Sequence, residues 1–187
     1  MAITRLKMTI LAVFLAVAIG CGPAPTTGPA PGTPGGGAAT GTVDFSANGT
    51  AYTAPAGITT AYATYVVTTY NGTTYKNFVL KGIILSPSRS VSLSISGLGG
   101  PGTAPLGPYI TGGISGTLTY SDSLAANQMR AFCTTNGTFV GTATLTKLDT
   151  VAKLTSGTFS GKVKQYYLND NDSVTVTAGS FTDVPIK

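Results

Sequence analysis

The 187-residue sequence contains no histidine, no tryptophan and no glutamate; its six acids are Asp44, Asp122, Asp149, Asp170, Asp172 and Asp183. The lack of histidine removes the usual base of nucleophilic triads and the commonest zinc ligand. Two cysteines, Cys21 and Cys133, offer little more to a metal. Charged residues make up only 9%, which excludes a Glu/Lys-rich helical protein. Eleven Lys and Arg are scattered without a stripe or cluster, so they read as solvated surface charge, and no nucleic-acid partner is expected. No cofactor is expected either.

What is present is Thr, Ser, Gly, Val and Tyr, the composition of strands and turns. The N-terminus stands apart from this. Arg5 and Lys7 precede an apolar run, Met8–Ile19, that is too short to span a bilayer and ends in Ala18-Ile19-Gly20-Cys21. Residues 22–42 follow, GPAPTTGPAPGTPGGGAATGT, with five prolines and seven glycines and nothing to bury. The division expected is a leader over 1–20, an attachment residue and tether over 21–42, and one domain over 43–187.

The AIGC stretch resembles a lipobox, the processing site of bacterial lipoproteins, with Ala18 where Leu is commoner. The resemblance implies that Cys21 receives a diacylglycerol thioether, becomes the first mature residue and is acylated on its amine, so that the partner is a membrane. Gly22 stands where an inner-membrane retention signal would place Asp, which implies the outer membrane. The tether lacks the acidic residues associated with surface display, which implies a periplasm-facing domain.

From Thr42 the chain reads strand, turn, strand. VSLSIS (91–96) alternates Val91, Leu93 and Ile95 with serines; TFVGTATL (138–145) aligns Phe139, Gly141, Ala143 and Leu145. TFSGKVKQYY (158–167) aligns Phe159, Val163 and Tyr167, and VTVTAGSF (174–181) alternates Val174 and Val176 with threonines. FVLKGIIL (78–85) is nearly all apolar and predicts a strand covered on both faces. Asn-Gly at 48, 71 and 136 predicts tight hairpin turns. Only SLAANQMRA (123–131) has helical composition. About ten strands predict an all-β, antiparallel sandwich or flattened barrel, and alternation does not choose between the two.

FSANGTAYTA (45–54), GTFVGTATLTKLDTVAKLTSGTFSGKV (137–163) and DSVTVTAGSFTDVPI (172–186) together resemble a family of uncharacterised β-rich lipoproteins of Bacteroidota. Tyr52 stands for the commoner Trp, Thr155 precedes the usual Ser-Gly, and Asp183 stands for Asn. The family has no assigned activity, so the resemblance implies a fold and a location.

Three groups of residues are candidates for chemistry. Tyr62, Tyr65, Tyr70 and Tyr75 lie close along one hairpin and offer rings for stacking on a glycan or small molecule; the alternative is packing in the sheet. Asp170 and Asp172 alternate with Asn in LNDNDS, weak candidates for calcium against a plain turn. Asp122-Ser123-Leu124, Asp149-Thr150-Val151 and Asp172-Ser173-Val174 resemble the O-glycosylation acceptors of exported Bacteroidota proteins, which would modify Ser123, Thr150 or Ser173; Asp-Ser and Asp-Thr are equally turn chemistry. The expected role is a non-enzymatic envelope domain, structural or binding, whose partner would be a glycan or an envelope protein. A glycan- or small-molecule-binding module using the tyrosines ranks second, and an Asp-based hydrolase third.

Overall fold

The computed structural model describes residues 41–107, 113–123, 129–134, 140–165 and 172–187. Cys21, the tether through residue 40, the Asn136-Gly137 turn, Phe139, Tyr167 and Asp170 lie outside these residues.

The fold is all-β. Eleven strands follow in order: β1 (Val43–Ala47), β2 (Thr50–Ala54), β3 (Ala61–Tyr70), β4 (Thr73–Leu85), β5 (Ser88–Ser96), β6 (Gly102–Leu106), β7 (Ser115–Ser123), β8 (Met129–Cys133), β9 (Gly141–Asp149), β10 (Leu154–Gln165) and β11 (Ser173–Pro185). They form one sheet in the order β2-β1-β11-β10-β9-β6-β7-β5-β4-β3, with β8 inserted between β7 and β10. Pairing is antiparallel except where β6 meets β7 at Leu106 and Gly116 and at the isolated bridge between Ala63 and Ile186. The sheet curls until its far edge meets itself: Ala63 of β3 bridges Ile186, and the Lys187 N–H donates to the Ala63 carbonyl at 2.9 Å.

Alternation decides which side chains enter the core. Val91, Leu93 and Ile95 are buried, as are Ala143 and Leu145, Phe159 and Val163, and Val174 and Val176. The two halves of the curled sheet touch through rings, with Phe78 stacked 6.3 Å from Phe181 and Phe45 edge-on 6.2 Å from Tyr120. Two of the expected Asn-Gly turns are present. Asn48-Gly49 joins β1 to β2 and Asn71-Gly72 joins β3 to β4, each with positive φ at both residues (49° and 82°, 49° and 76°), the requirement of a type I′ turn.

SGTFSG (156–161) and the final AGSF (178–181) are explained by contact between β10 and β11. A Cβ on Gly157 would come within 2.6 Å of the Phe181 ring, and one on Gly179 within 2.5 Å of the Phe159 ring. The glycines make room for each other's phenylalanine across the ladder. Asp183 sits at φ 49°, a conformation that Asn and Asp tolerate best after glycine, so Asp in place of Asn is a mild change.

One expectation is corrected. β4 is not covered on both faces: Phe78, Leu80 and Gly82 are buried, while Val79, Lys81 and Ile83 are only half-buried and Leu85 is exposed. Lys81 marks the wet face, and the apolar run hid the alternation. Of 123–131, Ser123 ends β7 and Met129–Ala131 lie in β8, where Arg130 pairs with Asp122; residues 124–128 lie outside the described residues.

Candidate functional site

A strand has two faces, and the outward face of β4, β5 and β7 forms the candidate site. The register aligns Lys81 with Ser92 and Ser92 with Thr119; it likewise aligns Ile83 with Ser90 and Ser90 with Ser121. The buried Leu80, Leu93 and Leu118 occupy the opposite face of the same strands. The VSLSIS alternation that builds the core therefore lines the outside with serine hydroxyls. Thr59 and Met129 close the rims of a groove of about 510 Å³, within the size range of small-ligand sites. Its floor combines hydroxyls with the apolar Ile83 and Leu85, and Lys81 supplies a cation.

One end of the groove is lined by Arg89 and Asp122, which belong to a charged cluster. Asp122 is 8% exposed and accepts a two-pronged pair from Arg130, Nε to Oδ1 at 3.0 Å and Nη2 to Oδ2 at 2.8 Å. Arg130 also donates Nη1 to Asp172 Oδ2 at 3.2 Å. The hydrogen bond to Asp122, more than any other influence, holds the Arg130 guanidinium protonated. Arg89, the register partner of Asp122 on β5, lies 4.8 Å over the Tyr52 ring, and its Nε is buried without a partner. Burial, and next the Asp122 charge, push the Tyr120 hydroxyl above its usual range, so it stays protonated near neutrality.

The four tyrosines do not converge. Paired residues of antiparallel strands share a face. Tyr65 pairs with buried Phe78 and packs against the core, whereas Tyr62, Tyr70 and Tyr75 lie on the other face. Tyr62 pairs with Lys81 beside the groove, and its own ring is covered by Lys187 Nζ at 3.5 Å. Tyr70 and Tyr75 sit at the opposite end of the hairpin, and none of the four lines the groove. The period of the strand splits four tyrosines that are close in sequence, and the groove serines read in the sequence as the wet half of a core strand.

The aspartates have structural partners. Asp44 accepts from Thr42 and Thr53, Asp149 from the N–H groups of Val151 and Ala152, and Asp183 from Lys147 Nζ at 2.9 Å. Asp172 accepts from Arg130 Nη1; Asp170 lies outside the described residues. Among the described residues no three His, Cys, Asp or Glu gather into a metal site. Of the three acceptor-like triplets, Thr150 is exposed and followed by Val151 at 93% exposure, on the β9–β10 turn. Ser173 is half-buried and precedes the buried Val174, and Ser123 is half-buried at the end of β7, with Leu124 outside the described residues. No family model, no curated protein and no solved structure matches the chain.

Proposed function

We propose that the chain is a lipid-anchored β-domain of the bacterial cell envelope, attached to the outer membrane through acylated Cys21 and facing the periplasm, and that its role is binding and not catalysis. The anchor rests on the lipobox-like AIGC and the Pro/Gly tether. The resemblance of the β-rich segments to uncharacterised Bacteroidota lipoproteins points the same way. The observation that carries the binding role is the hydroxyl-lined groove over β4, β5 and β7. Serine and threonine hydroxyls both donate and accept, and interleaved apolar side chains suit the alternating polar and apolar edges of a sugar. A glycan or similarly hydroxylated small molecule is the ligand class that fits.

Two measurements test the reading. Metabolic labelling with a fatty-acid analogue tags the wild type and not Cys21→Ser; equal labelling of both ends the anchored reading. On a glycan array the full chain binds and Ser90→Tyr, which fills the groove floor, does not. Binding that survives Ser90→Tyr places the ligand elsewhere.

A further inference from the structure

The groove over β4, β5 and β7 holds a lysine that no carboxylate neutralises among the described residues. Lys81 is the one charge within the apolar run FVLKGIIL (78–85), and it lies half-buried on the outward face between Val79 and Ile83. An opposite charge on the neighbouring strand would stabilise such a residue. Lys81 has none. Its cross-strand partners are Tyr62 on β3 and Ser92 on β5, and beyond Ser92 comes Thr119 on β7. Elsewhere in the domain, Arg130 is paired with Asp122 and Asp172, and Lys147 with Asp183.

The other charges that line the groove do not compensate Lys81. Asp122 stands at one end, but Arg130 donates to both of its carboxylate oxygens. Arg89, at the same end, lies over the Tyr52 ring. On the other side of Lys81, the ring of Tyr62 carries the Lys187 ammonium at 3.5 Å, a second cation beside the groove. The row Tyr62–Lys81–Ser92–Thr119 therefore presents positive charge at its β3–β4 end and hydroxyls alone on β5 and β7. Adjacent strands lie about 4.8 Å apart, so Lys81 and Thr119 are separated by about 10 Å across the sheet. The walls of a groove partly exclude water, and a charge there acts more strongly than one on an open surface.

We propose that the groove takes an acidic glycan, whose carboxylate or sulfate ester docks on the Lys81 ammonium while its hydroxyls exchange hydrogen bonds with Ser90, Ser92 and Thr119. The inference rests on the groove being the binding site proposed above, and it narrows the ligand from glycans in general to those carrying an anion. A lysine ammonium is a point charge with three donors and no fixed plane. It balances one negative charge, that of a carboxylate or a sulfate ester. A phosphate monoester carries nearly two, and would leave one unmatched. The anion keeps lone pairs that a single ammonium does not fill, and the neighbouring Ser92 hydroxyl can donate to them. Ile83 and Leu85 then pack against the apolar face of a sugar ring.

An array of oligouronates, sulfated oligosaccharides and neutral oligosaccharides, read with the full chain, tests this. The wild type retains acidic members over neutral ones. Methyl esterification of the uronates, or desulfation of the sulfated chains, keeps the sugar rings and removes only the charge. It lowers binding about tenfold, and the treatment that does so tells the two anions apart. Lys81→Met keeps the length of the stem without the charge, and lowers binding of acidic members about tenfold while leaving that of the esters unchanged; Lys81→Arg restores it. Lys162→Met, which removes the same charge from an exposed position on β10, changes nothing. Added salt weakens acidic binding in the wild type but not in Lys81→Met. Circular dichroism confirms that the Lys81 variants keep the sheet. Equal affinity for acidic members and their esters, with both lost in Ser90→Tyr, overturns the acidic ligand and leaves the groove reading standing. Acid-selective binding that survives Lys81→Met puts the anion elsewhere and overturns the inference as well. No binding at all, or binding that Ser90→Tyr leaves unchanged, overturns the groove reading and this inference with it.

Discussion

The β9–β10–β11 ladder and the β3–β4 arm are built from the same residue types, yet they solve opposite problems. The ladder is irregular. Its register shifts between Thr155 and Gly157 and again between Phe159 and Gly161, and β1 joins β11 with another shift between Asp44 and Ser46. Each bulge turns the strand more sharply and helps bend the sheet around Phe159 and Phe181. The β3–β4 hairpin has ten pairs in perfect succession and no bulge. Its outer end, an arm over residues 66–76 that reaches past β5, leaves the core and exposes both faces. Bulges and glycines thus mark where the sheet must close, and their absence marks where it projects.

The comparison breaks first at Phe181. Its ring is buried and lies 6.3 Å from Phe78 and 6.4 Å from Phe159. Phe181→Ala leaves a cavity at the centre of the ladder, and urea denaturation should register a loss of about 3–5 kcal/mol. Tyr70→Ala on the arm should cost less than about 0.5 kcal/mol. Similar losses at the two positions would mean that the arm packs as part of the core.

A smaller effect tests the arm's own geometry. Gly72 sits at φ 76° in the type I′ turn with open space around it. Gly72→Ala should therefore cost about 1 kcal/mol through backbone strain alone. Because the arm makes few core contacts, hydrogen exchange should rise in Val66–Lys76 well before it rises in β10 or β11. A uniform rise through the whole domain would show that the arm and the ladder unfold together.

The smallest effect has a defined sign. The hydrogen bond from Lys147 lowers the Asp183 carboxyl below its ordinary value of 3.8. A lowered carboxylate stabilises the fold above the unfolded-state value, and that contribution is lost as pH falls through the folded-state value. Wild type and Lys147→Ala should therefore differ in melting temperature at pH 7 and converge as the pH drops below about 3.8. A gap that widens in acid would contradict this. The half-exposed position of the pair keeps the difference small.

The sequence by itself determined the inward residues of β5, β9, β10 and β11, and the two hairpin turns at Asn48 and Asn71, because each depends on neighbours a few positions away. Side-chain alternation has a period of two whatever the strand pairs with, and a type I′ turn needs only two residues that accept positive φ. Alternation failed for FVLKGIIL because apolar residues lie on both faces of β4, so nothing in the string marks the wet side. Asp122, Arg130 and Asp172 come together from β7, β8 and the residue before β11. The groove needs β4, β5 and β7 in adjacent register. The tyrosines were close in sequence but were divided by the faces of one hairpin, and the seam at Ala63 and Ile186 joins residues more than a hundred positions apart. Only the tertiary structure decided these features, because strand order is set by how all the inward faces pack together, and no local pattern carries that information.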